Sequence, residues 1–320
     1  MNHPKVAIIV LNWNGKQDTI ECLESLKQIT YSNYEILLVD NGSTDGSVKY
    51  FKERYPEIEI IVNEENLGFA EGNNIAMKVA LKDKYVKYIA LLNNDTKVEP
   101  YWLEELVKVA ESDERVGSCQ SKMLLMSNPM VVDAVGISIT RSGGAIQDGY
   151  ETRDIGQYDQ VKEIFGVCAG AALYRREMLT QIGLFDEDFF AYYEDVDLAL
   201  RARLAGWKSM YVPKAIVYHV HSATFGKNSP FKLYFLTRNE YYYKIKNLPT
   251  SILIRFLMIK PIVVALRILG FIKNKEVQLI KPYMRGNFDA FKNIPKMFKK
   301  RKKIRSTQII HDKELRGWFE

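Results

Sequence analysis

Cysteine is scarce in this 320-residue chain: Cys22, Cys119 and Cys168 are odd in number, far apart and free of any C-x-x-C spacing. That excludes a disulfide framework and a structural zinc site, and makes a reducing compartment, the cytoplasm, the expectation. A signal-peptide core is lacking as well, because only six apolar residues stand between Lys5 and Asn12. There is no internal repeat, and the one low-complexity tract is the basic run at 299–303. An uncharged apolar run is also missing. The best candidate span, Ser251 to Ile272, contains Arg255, Lys260, Arg267 and Pro261. Each charge costs about 2.5–3.5 kcal/mol at a bilayer centre, which roughly fifteen apolar residues at ~0.3–0.6 kcal/mol do no more than offset. A pair of interfacial helices is expected there instead of a span.

What is present is enough apolar material for a core: 47% hydrophobic against 26% charged excludes a disordered chain. Charge is divided unevenly. Residues 1–225 hold 23 Lys+Arg and 33 Asp+Glu, whereas 226–320 hold 22 and 6, so a net of −10 is followed by +16. Two regions meeting near Phe225 are expected, 1–225 and 226–320, the second helical and basic.

Short runs rich in Val, Ile and Leu (Val6 to Leu11, Ile36 to Val39 and Tyr88 to Leu92) read as buried parallel strands, and Ile58 to Val62 takes the same place in the strand–loop–helix order. Each leads through a polar loop into an amphipathic segment: Asp18–Lys27, Ser47–Arg54, Asn73–Leu81 and Tyr101–Ala110. Strands alternating with helices imply βαβ units and a mostly parallel α/β sheet. From Met123 to Gly149 the pattern becomes hairpin-like, and a later helix at Asp195–Ala205 stops at Gly206. Three strand ends carry polar clusters: Leu11-Asn12-Trp13-Asn14-Gly15, Val39-Asp40-Asn41-Gly42-Ser43 and Leu92-Asn93-Asn94-Asp95-Thr96. Ligands bind beyond the carboxyl ends of strands in such sheets, so the clusters are expected to form one site.

The residues alone leave their chemistry open. Asp95 can ligate a hard divalent cation or cap the next turn. Asp40 can accept hydrogen bonds from a base or belong to a helix-entry turn, and Trp13 can stack on a nucleobase or pack. Glu194 and Asp195, among Phe189, Phe190, Tyr192 and Tyr193, can supply a general base or merely favour a helix N-terminus. His219 and His221 can complete a metal site or serve structure.

The ordered set LNWNG, VDNGSTDGS, NLGFAEGNN, LLNNDT, CAGAALYRR, GLFDEDFFAYYEDVDLALR and YHVHSAT resembles family-2 glycosyltransferases of GT-A fold, in their rhamnosyltransferase-like branch, over about residues 5–225. The resemblance implies a Rossmann-like, mostly parallel sheet flanked by helices. It places Trp13 at the nucleobase, Asp40 on the base's ring N–H and Asn94 at the ribose, with Leu11 also in the donor-nucleotide site. Asn73 and Asn74 stand where relatives carry Arg-Asn, so a charged contact is missing. Asn93-Asn94-Asp95 replaces Asp-x-Asp, leaving Asp95 as the metal carboxylate, with His219 matching the late metal histidine better than His221. Asp195 is implied as catalytic base with Glu194 beside it, and Gly170 and Tyr193 at the donor sugar and acceptor.

The implied reaction is inverting transfer from a nucleotide-sugar donor, with Mg²⁺ or Mn²⁺ as cofactor, to a surface polysaccharide or lipid-linked glycan. Deoxythymidine-diphosphate rhamnose leads as donor and a uridine-diphosphate hexose is second. Eight basic and no acidic residues between Lys292 and Arg305 suit peripheral contact with an anionic inner membrane face. Nucleic acid is not expected, because the acidic front region would repel it. The rivals are a nucleotidyltransferase, which would open with a glycine-rich loop and a basic residue, and an inactive sugar-nucleotide-binding scaffold.

Overall fold

The computed structural model describes residues 3–220 and 229–320, so His221 and the 225/226 boundary lie outside the described residues. Strands β1 (Lys5–Asn12), β2 (Tyr34–Asn41), β3 (Glu59–Asn63) and β4 (Val86–Asn93) are joined by helices α1 (Lys16–Leu26), α2 (Ser47–Arg54) and α3 (Gly68–Ala80). β1 pairs in parallel with β2 and β4, and β2 with β3. Val6 to Val10 are fully buried because helices cover both faces. The helix expected from Asn73 begins at Gly68 instead, where the Asn66 side chain accepts from the Gly68 N–H.

The second half of the sheet is mixed. It comprises β5 (Thr96–Val98), β6 (Val116–Leu125), β7 (Asn128–Ala134), β10 (Lys162–Ile164), β11 (Ala171–Arg175) and β12 (Lys208–His219), with β8 (Ile137–Ile139) and β9 (Ala145–Gln147) forming a separate hairpin. The order β10-β12-β6-β11-β4-β1-β2-β3 inserts β11 antiparallel between β4 and β6. Helices α4 (Trp102–Ala110), α5 (Arg176–Ile182) and α6 (Glu194–Leu204) complete this part. The hairpins expected within 123–149 are present as β6–β7 and β8–β9.

Helices α7 (Pro230–Asn247), α8 (Thr250–Lys273), α9 (Ile280–Lys292), α10 (Ile294–Ser306) and α11 (Asp312–Arg316) follow. They pack on α6 and on the β8–β9 hairpin rather than trailing from the fold. Tyr242, Ile245, Ala290, Met297 and Leu315 share an apolar cluster with Ile139, Phe165, Phe189, Val196 and Leu200. The basic run is correspondingly part of the fold. Lys300 pairs with Asp186 and Asp188, Lys296 with Asp188 and Arg305 with Asp312, while Arg301 donates to the Ile245 and Leu248 carbonyls. Lys299, Lys302 and Lys303 remain exposed.

Ser251–Ile272 lies within one helix, α8, not a helix pair; Pro261 does not break it. Lys260 turns inward to Glu240, whereas Ile254, Met258, Ile262, Leu266 and Leu269 are all more than half exposed. Among the described residues no helix is long and apolar enough to cross a membrane.

Candidate active site

Strand register brings the polar clusters level. Asn12 pairs with Asp40 across β1–β2, and Leu11 with Asn93 across β1–β4. Asn12, unassigned in the sequence reading, is the hub. Its Nδ2 donates to Asp40 Oδ2 at 2.7 Å and Ser43 Oγ at 3.1 Å, and its Oδ1 accepts from the Gly15 N–H and Thr19 Oγ1. Asp40 is fully buried and also accepts from the Ser43 N–H at 2.9 Å. Asn94 Nδ2 donates to Thr19 Oγ1 at 3.0 Å. Trp13 sits half-buried in the loop after β1, and Leu11 packs against α3 at Gly72. Asn73 and Asn74 are buried in α3. The Asn73 amide donates to the Phe69 carbonyl, and Asn74 exchanges two hydrogen bonds with the Phe185 backbone.

Beside this cluster lies a cleft of about 450 Å³ whose lining includes Asn93, Asp95, Gly170, Tyr193, Glu194, Asp195 and His219. Of the residues expected from sequence, the cleft thus unites Asp95, His219, Gly170, Tyr193, Glu194 and Asp195. Leu11, Trp13, Asp40, Asn73, Asn74 and Asn94 do not line it. At Gly170 a Cβ would approach Asn93 Nδ2 to 3.3 Å and Met123 to 3.1 Å, so the small residue keeps β11 close to the end of β4.

β12 delivers His219 opposite Thr96 of β5, which sets Nε2 3.1 Å from Asp95 Oδ1. On the other side Nδ1 lies 2.7 Å from Asp133 Oδ2, on β7. Burial would lower the imidazole's pKa, but hydrogen bonds to Asp133 and Asp95 outweigh it and push it up to about 10. Asp133 was missed from sequence. Its one signal was an acidic residue inside the apolar strand Val131-Val132-Asp133-Ala134-Val135. Among the described residues no three His, Cys, Asp or Glu side chains form a complete metal site. Asp95 and His219 set a carboxylate oxygen beside an imidazole nitrogen; a cation there would displace the Nε2 proton that now faces Asp95, and the resulting donor pair suits Mn²⁺ and accommodates Mg²⁺.

Across the cleft, α6 opens with Glu194 and Asp195. Tyr193 precedes them in the left-handed region and gives no side-chain cap. Burial pushes Asp195 up to about 6, against hydrogen bonds to its carboxylate from the Val196 and Ala169 N–H groups. Burial and then the neighbouring Asp195 charge hold Glu194 well above the usual carboxylate range. Glu194 Oε2 is buried with no hydrogen-bond partner among the described residues, which suits a neutral carboxyl awaiting a ligand. Asp197, one turn on, has the opposite fate. Burial would raise it, but Lys246 and Arg201 hold it low. It serves the fold.

The fold of this site has known counterparts. A crystal structure of GalNAc-T7 with UDP, GalNAc and Mn²⁺ superposes with TM-score 0.57 at 15% identity, over 77% of this chain and 50% of that one. The shared architecture is the GT-A fold. The O-antigen biosynthesis protein RfbC of Myxococcus xanthus is 28% identical over 69% of this chain, which spans only 18% of RfbC. The N-acetylglucosaminyl-diphospho-decaprenol L-rhamnosyltransferase of Mycobacterium tuberculosis is 29% identical over 64% of this chain and 73% of its own length. The family model "Glycosyl transferase family 2" matches residues 7–183, more than half of the chain. This protein therefore belongs to glycosyltransferase family 2.

Proposed function

We propose that this protein is a metal-assisted inverting glycosyltransferase that moves a sugar from a nucleotide-sugar donor to a polysaccharide or lipid-linked glycan. The observation that carries the reading is the meeting of Asp95–His219 and Glu194–Asp195 in one cleft. A pure binder has no need of a base facing an acceptor.

Asp195 takes the proton of the acceptor hydroxyl as that oxygen attacks the anomeric carbon. The bond from that carbon to the diphosphate oxygen breaks, and its electron pair leaves with the nucleoside diphosphate. General-base help of this kind contributes about 10²–10⁴-fold. Glu194, neutral, orients the acceptor by donating a hydrogen bond. Trp13 and Leu11 flank the nucleobase, and Asp40, aligned by Asn12 and Ser43, accepts from it. Asn94 faces the ribose and Asn73 and Asn74 shape the adjoining wall, while Gly170 and Tyr193 border the sugar. Asp95 and His219 would hold Mg²⁺ or Mn²⁺, which when bound offsets charge on the departing diphosphate.

Deoxythymidine-diphosphate rhamnose is the leading donor, supported by the Mycobacterium tuberculosis relative's name. A uridine-diphosphate hexose is the alternative. Residues 226–320 are read as the acceptor-side, membrane-facing region of a cytoplasmic enzyme acting at the inner face. Its support is the exposed apolar arc of α8, the exposed Phe288 and Phe291 of α9, and the exposed Lys299, Lys302 and Lys303 of α10.

The test is incubation with each sugar nucleotide, with and without Mn²⁺ or Mg²⁺, and a lipid-linked glycan acceptor. Nucleoside diphosphate release with sugar transfer is expected. Pyrophosphate release would mark a nucleotidyltransferase, and no product from any donor a scaffold.

A further inference from the structure

The segment leading into Glu194 and Asp195 contains three non-glycine residues at positive φ: Phe190 at 63°, Tyr192 at 70° and Tyr193 at 70°. At Phe190, with ψ −64°, the Ala191 N–H donates to the Phe189 carbonyl at 2.7 Å. This is the rarer and strained form of γ-turn. Such backbone persists only where its surroundings over-determine it.

The surroundings are supplied by α7. Asn239 is fully buried, and its Nδ2 donates to the carbonyls of Phe189 at 2.9 Å, Ala191 at 2.8 Å and Tyr192 at 2.8 Å. An amide has two hydrogens, so three acceptors exhaust it. Its Oδ1 accepts from Arg238 Nε at 2.9 Å, and Arg238 itself donates to the Asp188 and Phe189 carbonyls. The Phe190 ring stacks on Phe235 at 5.0 Å, and its carbonyl accepts from the Ala70 N–H of α3. At Gly68 a Cβ would stand 2.5 Å from that carbonyl oxygen, which only glycine avoids.

We infer that Asn239 is a positioning residue for transfer: by gripping three carbonyls it holds Tyr192 and Tyr193 left-handed and so aims Glu194 and Asp195 into the cleft. Because Tyr193 gives α6 no side-chain cap, the gripped loop sets the direction of the helix's first turn. The inference rests on the reading of Asp195 as base.

The test compares Asn239→Ala and Asn239→Ser with the parent, at matched folded fraction by circular dichroism. For Asn239→Ala, kcat should fall roughly 10- to 100-fold, as a carboxylate displaced by an ångström loses its near-attack geometry. Donor KM should change little, and the acidic limb of kcat should move below pH 6 as Asp195 gains water. Asn239→Ser, which keeps one donor, should lie between. Unchanged kcat per folded molecule, or a fall without movement of the acidic limb, would overturn the inference. If Asn239→Ala does not fold, Arg238→Lys is read by the same two criteria. Asp195→Asn run alongside separates the layers. Retained transfer by Asp195→Asn removes the base reading and the positioning role together, whereas inactive Asp195→Asn beside wild-type Asn239→Ala removes the positioning role alone.

Discussion

Asp133 Oδ2 lies 2.7 Å from His219 Nδ1, so the imidazole is held from behind with Nε2 turned toward Asp95. A carboxylate on the far nitrogen fixes the ring's tautomer and orientation for a metal ligand, and its loss typically costs about 10–100-fold in metal affinity or activity. Asp133→Asn should therefore lower Mn²⁺-supported transfer by that order while nucleoside diphosphate binding without metal is retained. Titration of transfer with Mn²⁺ measures it. An unchanged metal dependence would sink the assignment.

Asp95 and Asp40 should separate in the same kind of experiment. Asp95→Ala is expected to weaken donor binding only when metal is present. Asp40→Ala should weaken it with or without metal, and also destabilise the fold by about 1–3 kcal/mol, because Asn12 loses its buried partner. Calorimetric titration of donor, with and without Mn²⁺, distinguishes them. Equal, metal-independent losses in both variants would show that Asp95 is not a ligand.

The pH profile follows from Asp195, which burial pushes up to about 6. The base must be ionised, so kcat should rise with pH through about 6 and then level. The folded state also holds this proton more tightly than the unfolded chain, whose aspartate titrates near ~3.9. Its contribution to stability is full below that lower value and is lost as pH rises through about 6. Asp195→Asn should accordingly be inactive yet more stable than the parent at pH 8, by on the order of 1–3 kcal/mol. Thermal melts at pH 5 and pH 8 decide it; a destabilised variant at pH 8 would refute the buried-carboxylate account.

The basic helix α10 should divide into two functions. Lys300 holds Asp186 and Asp188, so Lys300→Ser should cost roughly 1–3 kcal/mol of stability, the price of leaving a largely buried Asp186 with one partner fewer. Replacing exposed Lys299, Lys302 and Lys303 with Ser should leave stability within about 0.5 kcal/mol. That triple variant should bind anionic vesicles less, by about 1 kcal/mol per charge, and the difference should shrink with salt. Vesicle binding equal to the parent's would remove these lysines from any membrane role.

Strand periodicity and the polar residues closing each strand were sufficient to place β1 to β4, the helices between them and the strand ends at which the candidate site is proposed. Those features are local: a run of Val, Ile and Leu buries itself, and Asn, Asp and Gly end it. Asp195 could be singled out because an acidic pair among aromatics is visible along the chain. Its raised pKa was not, since that depends on how completely the surrounding fold excludes water from the carboxylate. His219 meets Asp95 only because β12 crosses to pair with both β6 and β5, and Asp133 joins them only because β7 folds back on β6. The Asn239 clamp and the Lys300 ion pairs likewise join residues 47–50 and 112–114 positions apart. Composition and periodicity carry no record of such distances. Which polar groups become partners was decided by the tertiary fold, where exclusion of water makes an unpaired group costly and so selects the pairs.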